Sequence, residues 1–197
     1  MAYGLNGSTG NGIGHPPVNN SEAEFADLKN HPYIRLFRAG KQSTSTPMLE
    51  PHSNDPGGST VAVQGWTSPT TAGGIDRVDF SAMCYFFGRN IQAKLDIPIG
   101  LIGTYWGGTA DELWSSPDAL DKCLDPSKPQ PTKDSRLWYG MASPFLRSTI
   151  KGAIWVRIIP ASPVAFATLT CDLVLPSIKV KRTLVIQEAR TVATTAR

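Results

Sequence analysis

The sequence has few cysteines and no long hydrophobic run. Its three cysteines, Cys84, Cys123 and Cys171, form no Cys-x-x-Cys pair and no zinc pattern, and they leave at least one thiol unpaired, so they do not indicate a cellular compartment. No run of about 18 apolar residues is present, which excludes a predicted transmembrane helix. The first residues also lack a basic segment followed by an apolar one, so no secretory signal is recognisable in the printed sequence.

Charge of one sign and the common catalytic motifs are also scarce. The formal net charge of +3 over 197 residues is too small and too scattered to favour nucleic acid or a membrane as a partner. No G-x-G-x-x-G follows a predicted strand, no P-loop lysine is present, and no serine stands in a G-x-S-x-G elbow. His15, His31 and His52 lie in or beside proline-containing loops, which favours surface positions.

The sequence does contain an alternation of helix and strand. A helix is predicted over residues 76–95, with an apolar stripe formed by Phe80, Met83, Phe87, Ile91 and Leu95. The continuous apolar segment 97–106 that follows is typical of a strand buried on both faces of a parallel sheet. Shorter strands are predicted at Tyr33 to Phe37, Thr60 to Trp66 and Gly152 to Trp155, and a further helical stretch at Leu137 to Leu146. This order predicts an α/β fold with a mostly parallel sheet.

A glycine turn follows the apolar strand. Gly107 and Gly108 stand where ligands bind in α/β sheets, at the carboxyl end of a strand. A backbone N–H that is free there could stabilise the oxyanion of a tetrahedral intermediate. Thr109 and Glu112 form a T-x-x-E pattern, which predicts a capping box for a helix beginning about Ala110. Spacing alone favours the simpler interpretation, a tight strand-to-helix turn, because a glycine pair is a weak motif.

The side chains beside this turn have a similar double interpretation. Glu112 and Asp111 either satisfy the start of a helix or face a ligand from its first turn. Trp106 and Trp114 flank the turn, and either could line a sugar pocket, although a tryptophan near a strand end is more often part of the core.

The composition changes after Trp155. Residues 156–197 contain six Lys or Arg and two Asp or Glu, a net charge of +4, whereas residues 1–155 have a net charge of −1. We therefore divide the chain into a domain at 1–155 and a divergent tail at 156–197.

Residues 79–116 resemble the sialate O-acetylesterases, which belong to the SGNH-type carbohydrate esterases. The resemblance rests on four motifs in order: Phe87-Gly88-Arg89, Pro98 to Ile102, Trp106 to Thr109, and Glu112-x-Trp114-Ser115. It extends over about residues 60–155, with one departure, because Tyr139 stands where the family usually has asparagine.

The resemblance implies a three-layer α/β/α fold and hydrolysis of O-acetyl esters of sialic acids by a serine nucleophile and a histidine base. It implies that Gly107 and Gly108 form the oxyanion turn and that Glu112 and Trp114 bind substrate. No metal or cofactor is implied, and a secreted or lysosomal location is suggested.

Three family motifs are not in the sequence: GQSNM with the serine, YQGE with an oxyanion-hole glutamine, and D-x-x-H with the histidine. We expect Met1 to be the methionine of GQSNM, which would put the nucleophile two residues upstream. We also expect residues 156–197 to reflect a frameshift or alternative splicing. The chain would then be a partial SGNH-type domain, incomplete at both ends and inactive. Two alternatives stay open: a non-catalytic truncated isoform or sugar-binding fragment, and a chain that does not fold.

Overall fold

Parallel strands form the centre of the molecule. The computed structural model describes residues 4, 5, 7, 16–52, 65–70, 80–122, 134–158 and 183–190. The strands are β1 (Ile34–Arg38), β2 (Ile99–Tyr105), β3 (Ile150–Ile158) and β4 (Thr183–Arg190). They lie in the order β1-β2-β4-β3, and every neighbouring pair in this sheet is parallel. The predicted α/β fold class is confirmed.

The helices are short apart from the one that precedes β2. They are α1 (Ser21–Asp27), α2 (Ala82–Leu95) and α3 (Pro117–Lys122). Three 3-10 turns cover Leu28–Asn30, Asp111–Trp114 and Ser143–Phe145, and a π-helical turn covers Trp138–Ala142. The helical stretch predicted near residues 137–146 is thus confirmed. None of the helices in the described residues is long and apolar enough to cross a membrane.

The strand predictions agree with the structure wherever it describes them. The strands predicted at 33–37, 97–106 and 152–155 correspond to β1, β2 and β3 with shifted ends. The strand predicted at 60–66 lies mostly outside the described residues, and next to it Thr67 pairs with Leu36 in an isolated antiparallel bridge.

The boundary predicted at residue 155 falls inside the sheet. Strand β3 continues across it to Ile158, and β4, from the later part of the chain, lies between β2 and β3. A strand between two parallel neighbours pairs its own backbone groups on both sides with the groups of each neighbour that face it. The division of the chain into residues 1–155 and a tail of other origin stays a prediction.

Both faces of the sheet carry a core, because alternate residues of β1 and β2 point to opposite sides. Ile34 and Leu36 with Ile99 and Leu101 belong to one cluster, which also contains residues of α2. The second cluster takes Phe37 and Ile102 from the same strands. Its other buried members are Ala39, Trp114, Leu137, Met141, Phe145 and Ile150. Strand β2 is therefore buried on both sides, as its continuous apolar sequence predicts.

The apolar stripe predicted for α2 is wrong in part. Phe80 is buried, but Met83, Phe87 and Leu95 are exposed. The residues of α2 that are buried are smaller or more polar: Ala82, Cys84, Tyr85, Gly88 and Gln92.

The close contact between α2 and the sheet explains why this face of the helix is the buried one. A Cβ atom on Gly88 would lie 2.5 Å from Cδ2 of Leu101 in β2, so the helix backbone packs directly against the Leu101 side chain. Only glycine allows that contact at position 88. Ser81 caps the helix, since its hydroxyl accepts a hydrogen bond from the backbone N–H of Cys84 at 3.3 Å.

Candidate active site

The glycine turn lies at the carboxyl end of β2, as predicted. Strand β2 ends at Tyr105, and Gly108 has a φ of +79°, a conformation that residues with a Cβ atom rarely adopt. A Cβ atom built on Gly108 would meet no atom within 4 Å. Glycine is therefore needed at this position for its backbone conformation. The space beside the turn is open to a ligand.

A pair of hydrogen bonds fixes the turn from the inside. The Thr109 hydroxyl donates to the carbonyl oxygen of Trp106 at 2.6 Å. The same hydroxyl oxygen accepts a hydrogen bond from the indole Nε1 of Trp114 at 2.8 Å. Because Trp114 is only 3% exposed, the turn is anchored to the core through this indole.

The predicted capping box is wrong. The residue before the helical turn Asp111–Trp114 is Ala110, which has an extended backbone and makes no side-chain capping bond. The turn is a single 3-10 turn, closed by a bond from the Leu113 N–H to the Ala110 carbonyl at 3.3 Å. The Thr109 hydroxyl bonds within the glycine turn, to the Trp106 carbonyl and the Trp114 indole.

The two predicted substrate-binding residues lie in different surroundings. Glu112 is half-buried in the first turn after the glycines. Trp114 is buried in the second core cluster, beside Leu137 and Met141. Its indole N–H faces the turn, so Trp114 supports the turn from behind. The substrate-binding role of both residues stays a prediction.

One residue at this edge was not predicted from the sequence. Arg38 ends β1 and is 3% exposed, and its guanidinium carbon lies 5.5 Å from the ring centre of Tyr105 at the end of β2. The face of an aromatic ring attracts a nearby positive charge, so Tyr105 is a partner for the Arg38 guanidinium. One signal for Arg38 was present in the sequence, a charged residue directly after the strand predicted at Tyr33 to Phe37.

The histidines are placed partly as predicted. His52 is exposed, and His15 lies outside the described residues. His31, however, is no simple surface histidine, because its ring nitrogens lie 3.0 Å from an Asp27 carboxylate oxygen and 2.9 Å from the Gln92 side-chain oxygen. Periodicity could not show this, since α1 and α2 are far apart in sequence.

The polar cluster around His31 lies at the opposite edge of the sheet from the turn. His31 precedes β1, and Gln92 lies near the end of the helix that leads into β2. Arg89 of α2 adds ion pairs with Glu24 and with Asp27. The cluster therefore joins α1 to α2 and is separated from the glycine turn by the length of the strands.

A buried tyrosine next to this cluster has a shifted pKa. Burial raises the pKa of Tyr85 to about 12, although the nearby Arg89 acts in the other direction. The Tyr85 hydroxyl has no hydrogen-bond partner among the described residues. Its ring contributes to the core under α2, and no catalytic role follows from it.

No metal site is evident in the part of the chain that the structure describes, since no three His, Cys, Asp or Glu side chains there are grouped to hold an ion. Ester hydrolysis at the glycine turn would need a nucleophile and a base. Of the two described histidines, His31 lies with Asp27 and Gln92 at the other edge of the sheet. His52 accepts a hydrogen bond through its backbone carbonyl from the N–H of Gly40, two residues after β1.

Comparison with known proteins agrees with the family suggested by the motifs. No protein-family model matches the chain. Human sialate O-acetylesterase is 40% identical over 85 residues, which cover 39% of this chain and 16% of the relative. Mouse sialate O-acetylesterase is 30% identical over 175 residues, which cover 70% of this chain and 31% of the relative.

A solved structure supports the fold. A carbohydrate acetylesterase from Xanthomonas citri superposes with a TM-score of 0.55 at 20% identity, over 79% of this chain and 29% of the other. The chain thus spans less than a third of the length of these proteins. By its sequence matches and its α/β fold, the chain belongs to a sialate O-acetylesterase-like family.

Proposed function

We propose that the chain is part of a carbohydrate acetylesterase and supplies its oxyanion turn. The observation that carries this proposal is the Gly107–Gly108 turn, with Gly108 at positive φ, at the carboxyl end of a central parallel strand. The names of the relatives support acetyl-ester chemistry on a sugar, and they suggest O-acetylated sialic acid as one substrate.

The chemistry needs a site for negative charge. A serine hydroxyl attacks the acetyl carbonyl carbon while a histidine removes the hydroxyl proton, and the carbonyl oxygen becomes an oxyanion. The N–H of Gly107 or Gly108 donates a hydrogen bond to that oxygen. One such donor contributes about 3–4 kcal/mol to transition-state stabilisation. The intermediate then collapses, the sugar oxygen leaves with the proton from histidine, and water releases acetate from the serine.

The surroundings of the turn suit this role. The Thr109 and Trp114 hydrogen bonds hold the backbone in place before substrate binds, which lowers the cost of reorganisation during the reaction. Arg38 adds a buried positive charge at the end of the adjacent strand, which favours developing negative charge at this edge.

We expect the 197-residue chain alone to release no acetate from an acetylated saccharide above the rate in buffer. The family resemblance places the serine in a GQSNM motif and the histidine in a D-x-x-H motif, and the 197-residue sequence contains neither motif. Acetate release can be followed with a coupled enzyme assay, with a full-length relative as the positive control. Turnover comparable to that of the relative would mean that these 197 residues contain a nucleophile and a base, which would contradict this prediction.

A second candidate function for the chain is sugar binding without hydrolysis. A cavity of about 580 Å³, lined in part by Tyr139 and Asp134, favours it. Saturable binding of an acetylated sugar without acetate release would support this function for the isolated chain.

A further inference from the structure

The ring of His31 bridges α1 and α2, the helices that precede β1 and β2. Its Nε2 lies 3.0 Å from a carboxylate oxygen of Asp27 in α1. Its Nδ1 lies 2.9 Å from the side-chain oxygen of Gln92, in the last turn of α2. The His31 side chain is only 13% exposed and Gln92 is buried, so these two partners hold the ring with little access for water.

Both ring nitrogens of His31 therefore face an oxygen atom. A carboxylate oxygen and an amide carbonyl oxygen accept hydrogen bonds and cannot donate them. A neutral imidazole has one N–H, which serves one of the two oxygens and leaves a lone pair opposite the other. An imidazolium has two N–H groups and serves both. The arrangement thus matches the protonated ring.

The carboxylate beside the ring keeps its charge. Asn30 donates a hydrogen bond to the other carboxylate oxygen of Asp27 at 2.9 Å. The pKa of Asp27 is held below its usual value, first by this bond from Asn30 and further by His31 and Arg89. Asp27 is therefore negative throughout the range of about pH 5 to 8 in which histidine changes charge, and it favours the imidazolium.

The other charged groups of the cluster are already matched. Arg89 of α2 forms ion pairs with Glu24 and with Asp27, both of α1. Its positive charge opposes that of an imidazolium, but Glu24 lies against it. Burial raises the pKa of the neighbouring Tyr85 to about 12, so this phenol is neutral over the same pH range. Within the described members of the cluster, a change of charge between about pH 5 and 8 therefore belongs to His31.

We propose that His31 is doubly protonated in the folded chain at about pH 5 and acts as a pH-sensitive latch that fastens α1 to α2. Strand β1 begins at Ile34, shortly after His31, and α2 leads into β2 at Ile99, the register partner of Ile34. The latch therefore also joins the amino ends of two neighbouring strands. It is independent of the proposed function, since it lies away from the glycine turn.

The direction of the pH effect follows from the two bonds. The protonated ring donates to both Asp27 and Gln92, so the stabilisation is fully present at about pH 5. As the pH rises toward about 8, the ring loses one proton and with it one of the two bonds. The chain should therefore hold α1 more tightly at acidic than at alkaline pH.

The ring N–H protons test the protonation directly. In ¹H NMR spectra at about pH 5, both ring N–H protons of His31 should be visible, because hydrogen bonds slow their exchange with water. Those of His52, which is exposed, should exchange too fast to be seen. Only one visible His31 N–H at about pH 5, as for a neutral ring whose Nδ1 accepts from a reversed Gln92 amide, or none at all, would overturn the proposal.

Two phenylalanine variants test the latch through stability. His31→Phe keeps a ring but removes both bonds, and it should raise the unfolding constant about tenfold at about pH 5 and about threefold or less at about pH 8. His52→Phe is the matched control, and its effect should not depend on pH. Urea unfolding at the two pH values measures both variants. An equal effect of His31→Phe at both pH values would overturn the latch.

Discussion

Replacing Gly140 with alanine is expected to lower the free energy of unfolding by about 3 kcal/mol, near the upper end for overpacking. A Cβ atom at this position would lie 2.3 Å from the carbonyl oxygen of Gln42. The obstacle is backbone, which cannot rotate away as a side chain can. The π-helical turn would have to move off the loop after β1, and the bonds from Met48 to Tyr139 and from Thr44 to the neighbouring Arg136 would lengthen.

Two other glycines are the controls for this experiment. At Gly88 the nearest atoms belong to the flexible Leu101 side chain, so Gly88→Ala should cost less than Gly140→Ala. At Gly65 no atom lies within 4 Å, so Gly65→Ala should change stability by less than about 0.5 kcal/mol. Urea unfolding of the three variants measures the order. A Gly140→Ala protein as stable as Gly65→Ala would show that the loop does not rest on the turn.

The bond between Thr109 and Trp114 is expected to give the second large effect. Thr109→Val keeps the shape of the side chain but removes the hydroxyl that joins Trp106 to Trp114. Loss of a buried hydrogen-bond partner costs about 1–3 kcal/mol. Trp114→Phe removes the indole donor and leaves part of a buried volume empty, and it should cost at least as much.

A double-mutant cycle separates this bond from packing. The combined variant should lose less stability than the sum of the two single variants, because the second substitution removes a bond that is already broken. Thr46→Val, at an exposed threonine, is the control for the valine substitution. The indole N–H resonance of Trp114 should also move in Thr109→Val. Strict additivity with an unmoved resonance would argue against the bond.

The fold could be predicted where a local pattern and tertiary packing agree. Strand β2 is apolar along its length, and it is buried on both faces as that pattern requires. The buried face of α2 could not be predicted, because hydrophobicity pointed to Met83 and Phe87 whereas close approach at Gly88 selected the opposite face. The distance between α2 and β2 depends on how these two elements pack together, and the sequence of the helix alone contains no signal of it.

The candidate site could be predicted only in its backbone part. The position of the Gly107–Gly108 turn could be predicted because two glycines follow shortly after an apolar strand. The use of the Thr109 hydroxyl inside the turn, and not as a helix cap, depends on where the Trp114 indole lies in the core. Arg38 and the walls of the cavity come from segments that are distant in sequence, so no local pattern could bring them together.

The most direct test of the oxyanion turn is an ¹H–¹⁵N titration of the 197-residue chain with a methylphosphonate ester of a neutral sugar. The tetrahedral anionic phosphonate stands in for the oxyanion, and the unesterified sugar is the control ligand. We predict that the amide proton of Gly107 or Gly108 moves downfield with the phosphonate and stays unmoved with the sugar. Saturable phosphonate binding that leaves both glycine amides unmoved would contradict the assignment of this turn as the oxyanion site.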